Sequence, residues 1–122
     1  MQESGEMYLE TILTLSEEKS YVRSIDVADA MNFSKPSVSR AMSKLKADNH
    51  ITIDKNGFIT LTDSGRKIAT KIFERHTVLS NVLMSLGVDE ETATADACRM
   101  EHVISDKTFD IIKKHIEQNK KK

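Results

Sequence analysis

Apolar residues recur every three or four positions near the start of the chain, and this spacing predicts a helix over residues 4–18. Ser24 is a candidate N-cap for a second, shorter helix that ends at Met31. Pro36 begins a third helix, because proline is tolerated in a first helical turn. The polar segment 32–34 between the two short helices predicts a turn.

The apolar pattern changes from helical to alternating spacing over residues 51–61. Two alternating runs, 51–53 and 58–61, flank a polar turn that ends in Asn-Gly, which is typical of a β-hairpin. Helical spacing returns after Thr62 and lasts to Gly87, and two more helices are predicted over 89–104 and from Ser105 onward. The predicted fold class is therefore mainly α with a small β-hairpin.

Two short helices joined by a turn and followed by a hairpin describe a winged helix-turn-helix, whose second helix enters the major groove of DNA. The predicted DNA contacts are small polar and basic residues at the start and along one face of that helix: Ser34, Lys35, Pro36, Ser37, Ser39, Arg40 and Lys44. Arg40 is the predicted base contact. The same residues would suit an ordinary solvated helix, but the preceding helix, the turn and the hairpin favour the DNA-binding interpretation.

The charge of the chain is unevenly distributed. The formal net charge is −1 and the isoelectric point is about 6.4, so bulk electrostatics alone do not indicate a nucleic-acid binder. Residues 34–46 carry four basic side chains and no acidic one, whereas acidic residues crowd the first helix and the segment 89–101. This distribution suits a protein that meets phosphate at one surface and a cation at another.

Three residues near the end of the chain form a candidate metal cluster. Cys98, Glu101 and His102 are spaced i, i+3 and i+4 on a predicted helix, so their side chains share one face. A thiol, a carboxylate and an imidazole that converge on one point suit a transition metal. The alternative is an accidental cluster, with Cys98 packed as a small hydrophobic residue and Glu101 and His102 at the surface.

Two further groups of residues carry metal-binding chemistry. Met7 and Glu10 are one turn apart on the first helix, outside its apolar stripe, and His76 lies on the long helix after the hairpin. Met7 by itself suits a core position as well as a metal site. The spacing of these residues does not establish that they meet the group around Cys98.

Three segments resemble the diphtheria toxin repressor family of iron- and manganese-dependent regulators: EMYLETILTL, GRKIATKIFERH and DACRMEHVISD. The resemblance runs from about Gly5 to Asp106. It implies a repressor that binds its operator when a divalent metal is bound. It also implies a winged helix-turn-helix domain over residues 1–70 and a helical metal-binding and dimerisation domain over residues 71–122.

The resemblance implies two metal-ligand sets. The iron-type primary site would be formed by Met7, Cys98, Glu101 and His102. The iron-type ancillary site is only partly matched, because His76 is present but Ser80 and Thr94 stand where those members have Glu and His.

Manganese-type members use the equivalents of Glu10 and His76, which are both present here. Those members, however, carry Asp at the position of Met7 and Glu at the position of Cys98. The ligand set is therefore a hybrid. Thiolate and thioether sulfur match Mn²⁺ poorly, so Fe²⁺ is the predicted metal and Mn²⁺ the alternative, with Co²⁺ and Ni²⁺ as substitutes in vitro.

A reader of a two-fold, palindromic operator needs to be a dimer, so we predict a homodimer. The predicted interface is an apolar stripe over Ile104, Phe109, Ile112 and Ile116. Larger family members add an SH3-like domain, and we expect no ligand from such a domain within these 122 residues.

Composition excludes several other classes of protein. No apolar run approaches the roughly 20 residues of a membrane span, the first residues are acidic where a secretory signal is basic, and Cys98 is the one cysteine. We therefore expect a cytoplasmic protein without a membrane role or a small-molecule substrate. We expect no enzymatic activity, because the sequence shows no substrate loop and no separate activating pair. A winged-helix repressor that is indifferent to metal remains the rival interpretation.

Overall fold

A computed structural model describes residues 3–120 of the chain. Within that range it contains six helices and a two-stranded antiparallel hairpin. The elements are α1 (Glu3–Glu18), α2 (Ser24–Met31), α3 (Lys35–Ala47), β1 (Ile51–Ile53), β2 (Ile59–Leu61), α4 (Asp63–Ser85), α5 (Glu90–Met100) and α6 (Asp106–Lys120). None of the helices in residues 3–120 combines the length and the apolar character that crossing a membrane requires.

Internal contacts divide the chain into two units, one that ends at Lys71 and one that begins at Ile72. In the first unit the helices α1, α2 and α3 and the hairpin share one apolar core. Leu9, Ile12, Val27 and Val38 have no exposed surface in this core. The predicted mainly-α fold with a small hairpin is confirmed.

The turn between α2 and α3 forms as the sequence predicts. Asn32 adopts the left-handed conformation with φ of 57°, which ends α2, and the side chain of Ser34 then caps α3 by accepting from the amide of Ser37 at 3.3 Å. The helix begins at Lys35, so Pro36 lies in its first turn, where a missing N–H costs nothing. This geometry fixes the direction in which α3 leaves the core.

The start of α2 differs from the prediction by one residue. The N-cap is Arg23 rather than Ser24, because the carboxylate of Asp26 accepts from the Arg23 amide at 2.9 Å. The same carboxylate accepts from Lys19 Nζ at 2.9 Å. That hydrogen bond from Lys19, together with the bond from the Arg23 amide, holds the pKa of Asp26 below its usual value.

The hairpin pairs Ile51 with Leu61 and Ile53 with Ile59. Its turn is closed by the side chain of Asp54, which accepts from the amides of Asn56 and Phe58. Phe58 was predicted to lie in the second strand, but it precedes β2 and stacks on Tyr21 with 4.3 Å between ring centroids. The hairpin therefore packs against the segment before α2. The Ile59 amide also donates to Val22 O at 2.7 Å.

The second unit contains the C-terminal part of α4 together with α5 and α6. Asp89 caps α5 and Ser105 caps α6, as predicted, since their side chains accept from the amides of Thr92 and Thr108. Helix α5 ends at Met100 and not at residue 104. A short turn over residues 101–105 therefore connects α5 to α6.

The predicted apolar stripe of the last helix packs largely within the second unit. Phe109 is buried, and Ile104, Ile112 and Ile116 are half-buried, so Phe109 belongs to the core and not to an exposed seam. The large apolar side chains that the second unit leaves exposed are Phe73, Met84, Leu86, Val103 and Ile111.

Candidate metal centre and nucleic-acid interface

Helix α3 presents the predicted DNA contacts to solvent. Its opposite face is anchored in the core by Val38, Met42 and Leu45, so the polar face points outward. Six of the seven predicted residues are exposed: Ser34, Lys35, Pro36, Ser39, Arg40 and Lys44. Ser37 is half-buried because its amide and hydroxyl both bond to Ser34.

Arg40 extends from the middle of this face. Its Nη2 lies 3.4 Å from the hydroxyl of Ser37, a weak contact that leaves the guanidinium able to bond a base edge or phosphate. Lys44 follows one turn later and is also exposed. The arrangement offers a planar guanidinium donor in the middle of the helix and a point charge nearer its end.

The predicted metal cluster forms in the second unit at the end of α5. Donor atoms of Cys98, Glu101 and His102 all lie within 4.8 Å of one another. Glu101 is the C-cap of α5, and its amide still donates to Ala97 O at 2.9 Å, so helical spacing continues far enough to keep the three side chains on one face. The side chains of Glu101 and His102 are fully buried, so the surface position that the alternative interpretation gives them is wrong.

Glu101 joins this cluster to helix α4. Its Oε2 lies 2.8 Å from Nδ1 of His76, and its Oε1 lies 3.3 Å from Nε2 of His102. Burial of a carboxylate is costly unless charges or hydrogen bonds match it. One buried carboxylate thus stands between two imidazoles, with a thiol beside it.

The donor chemistry of these four residues fits a transition metal. Imidazole suits Fe²⁺, Co²⁺, Ni²⁺ and Zn²⁺, thiolate suits softer ions, and a carboxylate supplies the negative charge that stabilises a divalent cation. Cys98 is partly accessible and His76 keeps about a quarter of its side chain exposed, so a metal can reach the donors. The residues present therefore fit a metal centre.

The other predicted metal residues lie in the first unit. Met7 and Glu10 are one turn apart on α1, and both are half-buried. Their participation in the site stays a prediction. Ser80 and Thr94 offer no carboxylate or imidazole at the two positions where the iron-type resemblance implies such ligands.

One residue of the second unit escaped the sequence analysis. Arg75 is buried, with 6% of its surface exposed, and it donates to the main-chain oxygens of Glu101 and Ile104. The signal was available, because Arg75 stands on the same helical face as the buried residues Ile72 and Leu79. A charged residue in such a stripe indicates a buried pairing.

Comparison with known proteins matches the two parts of the chain to two family models. Residues 1–57 match the family model "Iron dependent repressor, N-terminal DNA binding domain", and residues 62–122 match "Iron dependent repressor, metal binding and dimerisation domain". The HTH-type transcriptional regulator MntR of Geobacillus kaustophilus is 37% identical over 109 residues, which cover 89% of this chain and 77% of that protein. The MntR of Bacillus subtilis has the same identity and coverage.

Solved structures of metal-dependent repressors are also similar to this chain. A structure described as a manganese-dependent transcriptional repressor in complex with manganese has a TM-score of 0.85 and 28% identity, and covers 93% of this chain and 52% of its own. The structure of the manganese regulator SloR has a TM-score of 0.83 and 27% identity, with 93% and 53% covered. The chain thus spans about half the length of these two structures. The matches to both family models and the identity to MntR establish that this chain belongs to the diphtheria toxin repressor family of iron- and manganese-dependent transcriptional regulators, which are not enzymes.

Proposed function

We propose that this protein is a metal-dependent transcriptional repressor that binds operator DNA as a homodimer. The observation that carries the proposal is the buried carboxylate of Glu101, which lies between His76 and His102 within donor distance of Cys98. A repressor that is indifferent to metal has no need of this arrangement. Membership in the family supports a regulatory role, and the exposed polar face of α3 supports DNA as its target.

The two domains divide this work. We assign DNA binding to residues 1–70, with α3 in the major groove, and metal binding and dimerisation to residues 71–122. Base contacts from Arg40 specify the sequence, whereas phosphate contacts from Lys44 and the start of α3 position the protein. A homodimer presents two such helices, which matches a palindromic operator. A regulator of this kind acts in the cytoplasm, where its DNA is.

Metal activates the protein by ordering it before DNA arrives. The proposed ligands are His76, Cys98, Glu101 and His102, together with Met7 and Glu10 of α1, whose inclusion rests on the family resemblance. Binding of a metal that restricts the motion of the DNA-binding helices lowers the ordering cost of binding DNA. Linkage then requires DNA to tighten metal binding by the same factor, with a coupling of about 1–3 kcal/mol.

Fe²⁺ is our first choice for the metal, because Cys98 and Met7 supply sulfur donors. Mn²⁺ is the second candidate. SloR is described as a manganese regulator and another similar structure as a manganese-dependent transcriptional repressor, and Glu10 with His76 offers the harder donors that manganese prefers. On either assignment the protein controls metal homeostasis.

The decisive experiment measures DNA binding against buffered free metal under anaerobic conditions. Bound duplexes are first selected from a random-sequence pool in the presence of Fe²⁺ or Mn²⁺, and the selected duplex is then titrated with protein in each metal and in chelator. We expect metal to raise the affinity at least about fivefold, the lower end of ordinary coupling. Equal affinity in metal and in chelator would establish the metal-indifferent repressor instead.

A further inference from the structure

We propose that Arg75 is a positioning residue for the metal centre: it sets the backbone turn that carries Glu101 and His102, so that metal affinity depends on a guanidinium which is not itself a ligand. This inference rests on the proposed function of the same site.

Arg75 binds both ends of the turn over residues 101–105. Its Nη1 donates to the main-chain oxygen of Glu101 at 3.1 Å and to that of Ile104 at 2.7 Å. Its Nη2 pairs with the carboxylate of Asp106, the first residue of α6. The guanidinium also lies over the ring of Phe109, 5.5 Å from its centroid, so that one buried side chain connects the turn to α6.

The turn needs such support because α5 ends at Met100. Beyond a helix end the last carbonyl groups have no helical donor, and side chains or water must satisfy them. The amides of Val103 and Ile104 both bond back to Met100 O, which closes the turn. Arg75 donates to the carbonyl groups of Glu101 and Ile104 through one nitrogen and so links the two ends of the turn.

Arg75 and His76 hold Glu101 at two different points. Arg75 contacts its backbone oxygen, and the next residue of α4, His76, contacts its carboxylate at 2.8 Å. The two contacts together determine both the position of the main chain and the direction of the side chain. Metal sites lose affinity when such supporting contacts are removed, because the ligands must then be ordered at the expense of binding energy.

The test compares Arg75→Met and Arg75→Lys with a matched control. Lys113→Met removes another charged contact between α6 and α4, the 2.9 Å pair with Glu74, but this pair is solvent-exposed and neither residue belongs to the turn. The first measurement is the dissociation constant for Mn²⁺ alone, from the electron paramagnetic resonance signal of the free ion, well below the unfolding temperature of each variant. The second is hydrogen exchange of the Val103 and Ile104 amides in metal-free protein.

We expect Arg75→Met to weaken Mn²⁺ binding by about 10–100-fold and to accelerate exchange of both amides. Arg75→Lys should retain more Mn²⁺ affinity than Arg75→Met, because an ammonium group can donate to a carbonyl oxygen. It should not reach the parent affinity, because it lacks the several donors of the planar guanidinium. Lys113→Met should match the parent chain in both measurements. If Arg75→Met does not fold, Arg75→Lys and Phe109→Leu carry the same comparison.

A variant that melts at a lower temperature but keeps the parent affinity and parent exchange rates would overturn the inference and leave Arg75 with a purely structural role. Failure of the proposed function looks different. In that case the parent chain itself binds no metal, or its affinity for DNA is the same with and without metal.

Discussion

Oε2 of Glu101 lies 2.8 Å from Nδ1 of His76, and the Glu101 side chain has no exposed surface. The two atoms that face each other are both of types that coordinate metals, so in the proposed site a bound ion would replace an internal contact with two coordinate bonds. The contact therefore orients both side chains before the metal arrives. Such preorientation lowers the entropy lost on binding.

Replacement of Glu101 with Gln tests this relationship. Glutamine keeps the shape and one acceptor for His76 but loses the charge and most of the affinity for a divalent ion. We expect metal affinity to fall by more than the roughly 10–100-fold typical of supporting residues, with metal-dependent DNA binding lost at micromolar metal. Glu74→Gln is the control on α4, since Glu74 is exposed and pairs with Lys113. Equal metal affinity in the two variants would remove Glu101 from the site.

The sequence predicted the cluster at Cys98 well because helical spacing alone brings residues i, i+3 and i+4 to one face. The contact from His76 to Glu101 spans 25 residues, so no local pattern contains it. The resemblance suggested the participation of His76, and the structure supplies the distance. Arg75 was missed although it lies in an apolar helical stripe, because the residues whose backbone oxygens it binds are 26 and 29 positions away in the sequence.

Most element boundaries were predictable where a cap defines them. Ser34, Asp89 and Ser105 each accept from the amide three residues later. Asp89 and Ser105 were recognised as helix starts from their position before an apolar repeat, whereas Ser34 was assigned to the turn. The N-cap of α2 was predicted one residue too late, because the capping carboxylate belongs to Asp26, inside the helix, and not to the side chain of Ser24. The end of α5 was displaced because apolar spacing continues through the turn that follows.

Substitutions at two residues of α3 are expected to affect DNA binding in different ways. Arg40→Ala should weaken binding to the selected duplex by about 1–3 kcal/mol and relax the base preference. Lys44→Ala should weaken binding to all sequences alike and reduce the dependence on salt. Both residues are exposed, so neither change should alter the thermal stability of the protein. If Arg40→Ala preserved both affinity and base preference, α3 would not be the recognition helix.

Self-association is expected to depend on the apolar side chains that the second unit leaves exposed. Ile111 has 60% of its surface exposed, so Ile111→Glu should not disturb the core of the chain. We expect this variant to raise the dissociation constant of the metal-free dimer at least about tenfold, equivalent to about 1.4 kcal/mol. Gln118→Glu introduces the same residue at another exposed position of α6 and serves as the control. Analytical ultracentrifugation provides the measurement, and a parent chain that is monomeric at micromolar concentration would contradict the prediction.

The junction between α3 and α4 depends on a glycine. A Cβ at Gly65 would lie 1.9 Å from the main-chain oxygen of His50, so a backbone segment would have to move. The gain in helix propensity from Gly65→Ala, about 1 kcal/mol, is smaller than this clash. We expect a net loss of about 1–3 kcal/mol in the free energy of unfolding by urea. Thr70→Ala, at an exposed position of α4, should be close to neutral, and equal stability of the two variants would show that the junction can relax.

The identity of the metal is tested by replacement of the two proposed sulfur donors. Cys98→Glu together with Met7→Asp replaces thiolate and thioether with carboxylates, which match Mn²⁺ better than they match softer ions. We expect the double variant to shift activation of DNA binding from Fe²⁺ toward Mn²⁺, whereas His102→Ala should abolish activation by either metal. The measurement is affinity for the selected duplex against buffered free metal, with oxygen excluded because Fe²⁺ and the Cys98 thiol both oxidise. Co²⁺ and Ni²⁺ provide a control for coordination, since their affinities at mixed sites exceed that of Fe²⁺ along the Irving–Williams order. If the parent chain responds more strongly to Mn²⁺ than to Fe²⁺ at equal free concentration, the iron assignment is wrong, and the sulfur of Cys98 does not determine the choice of metal.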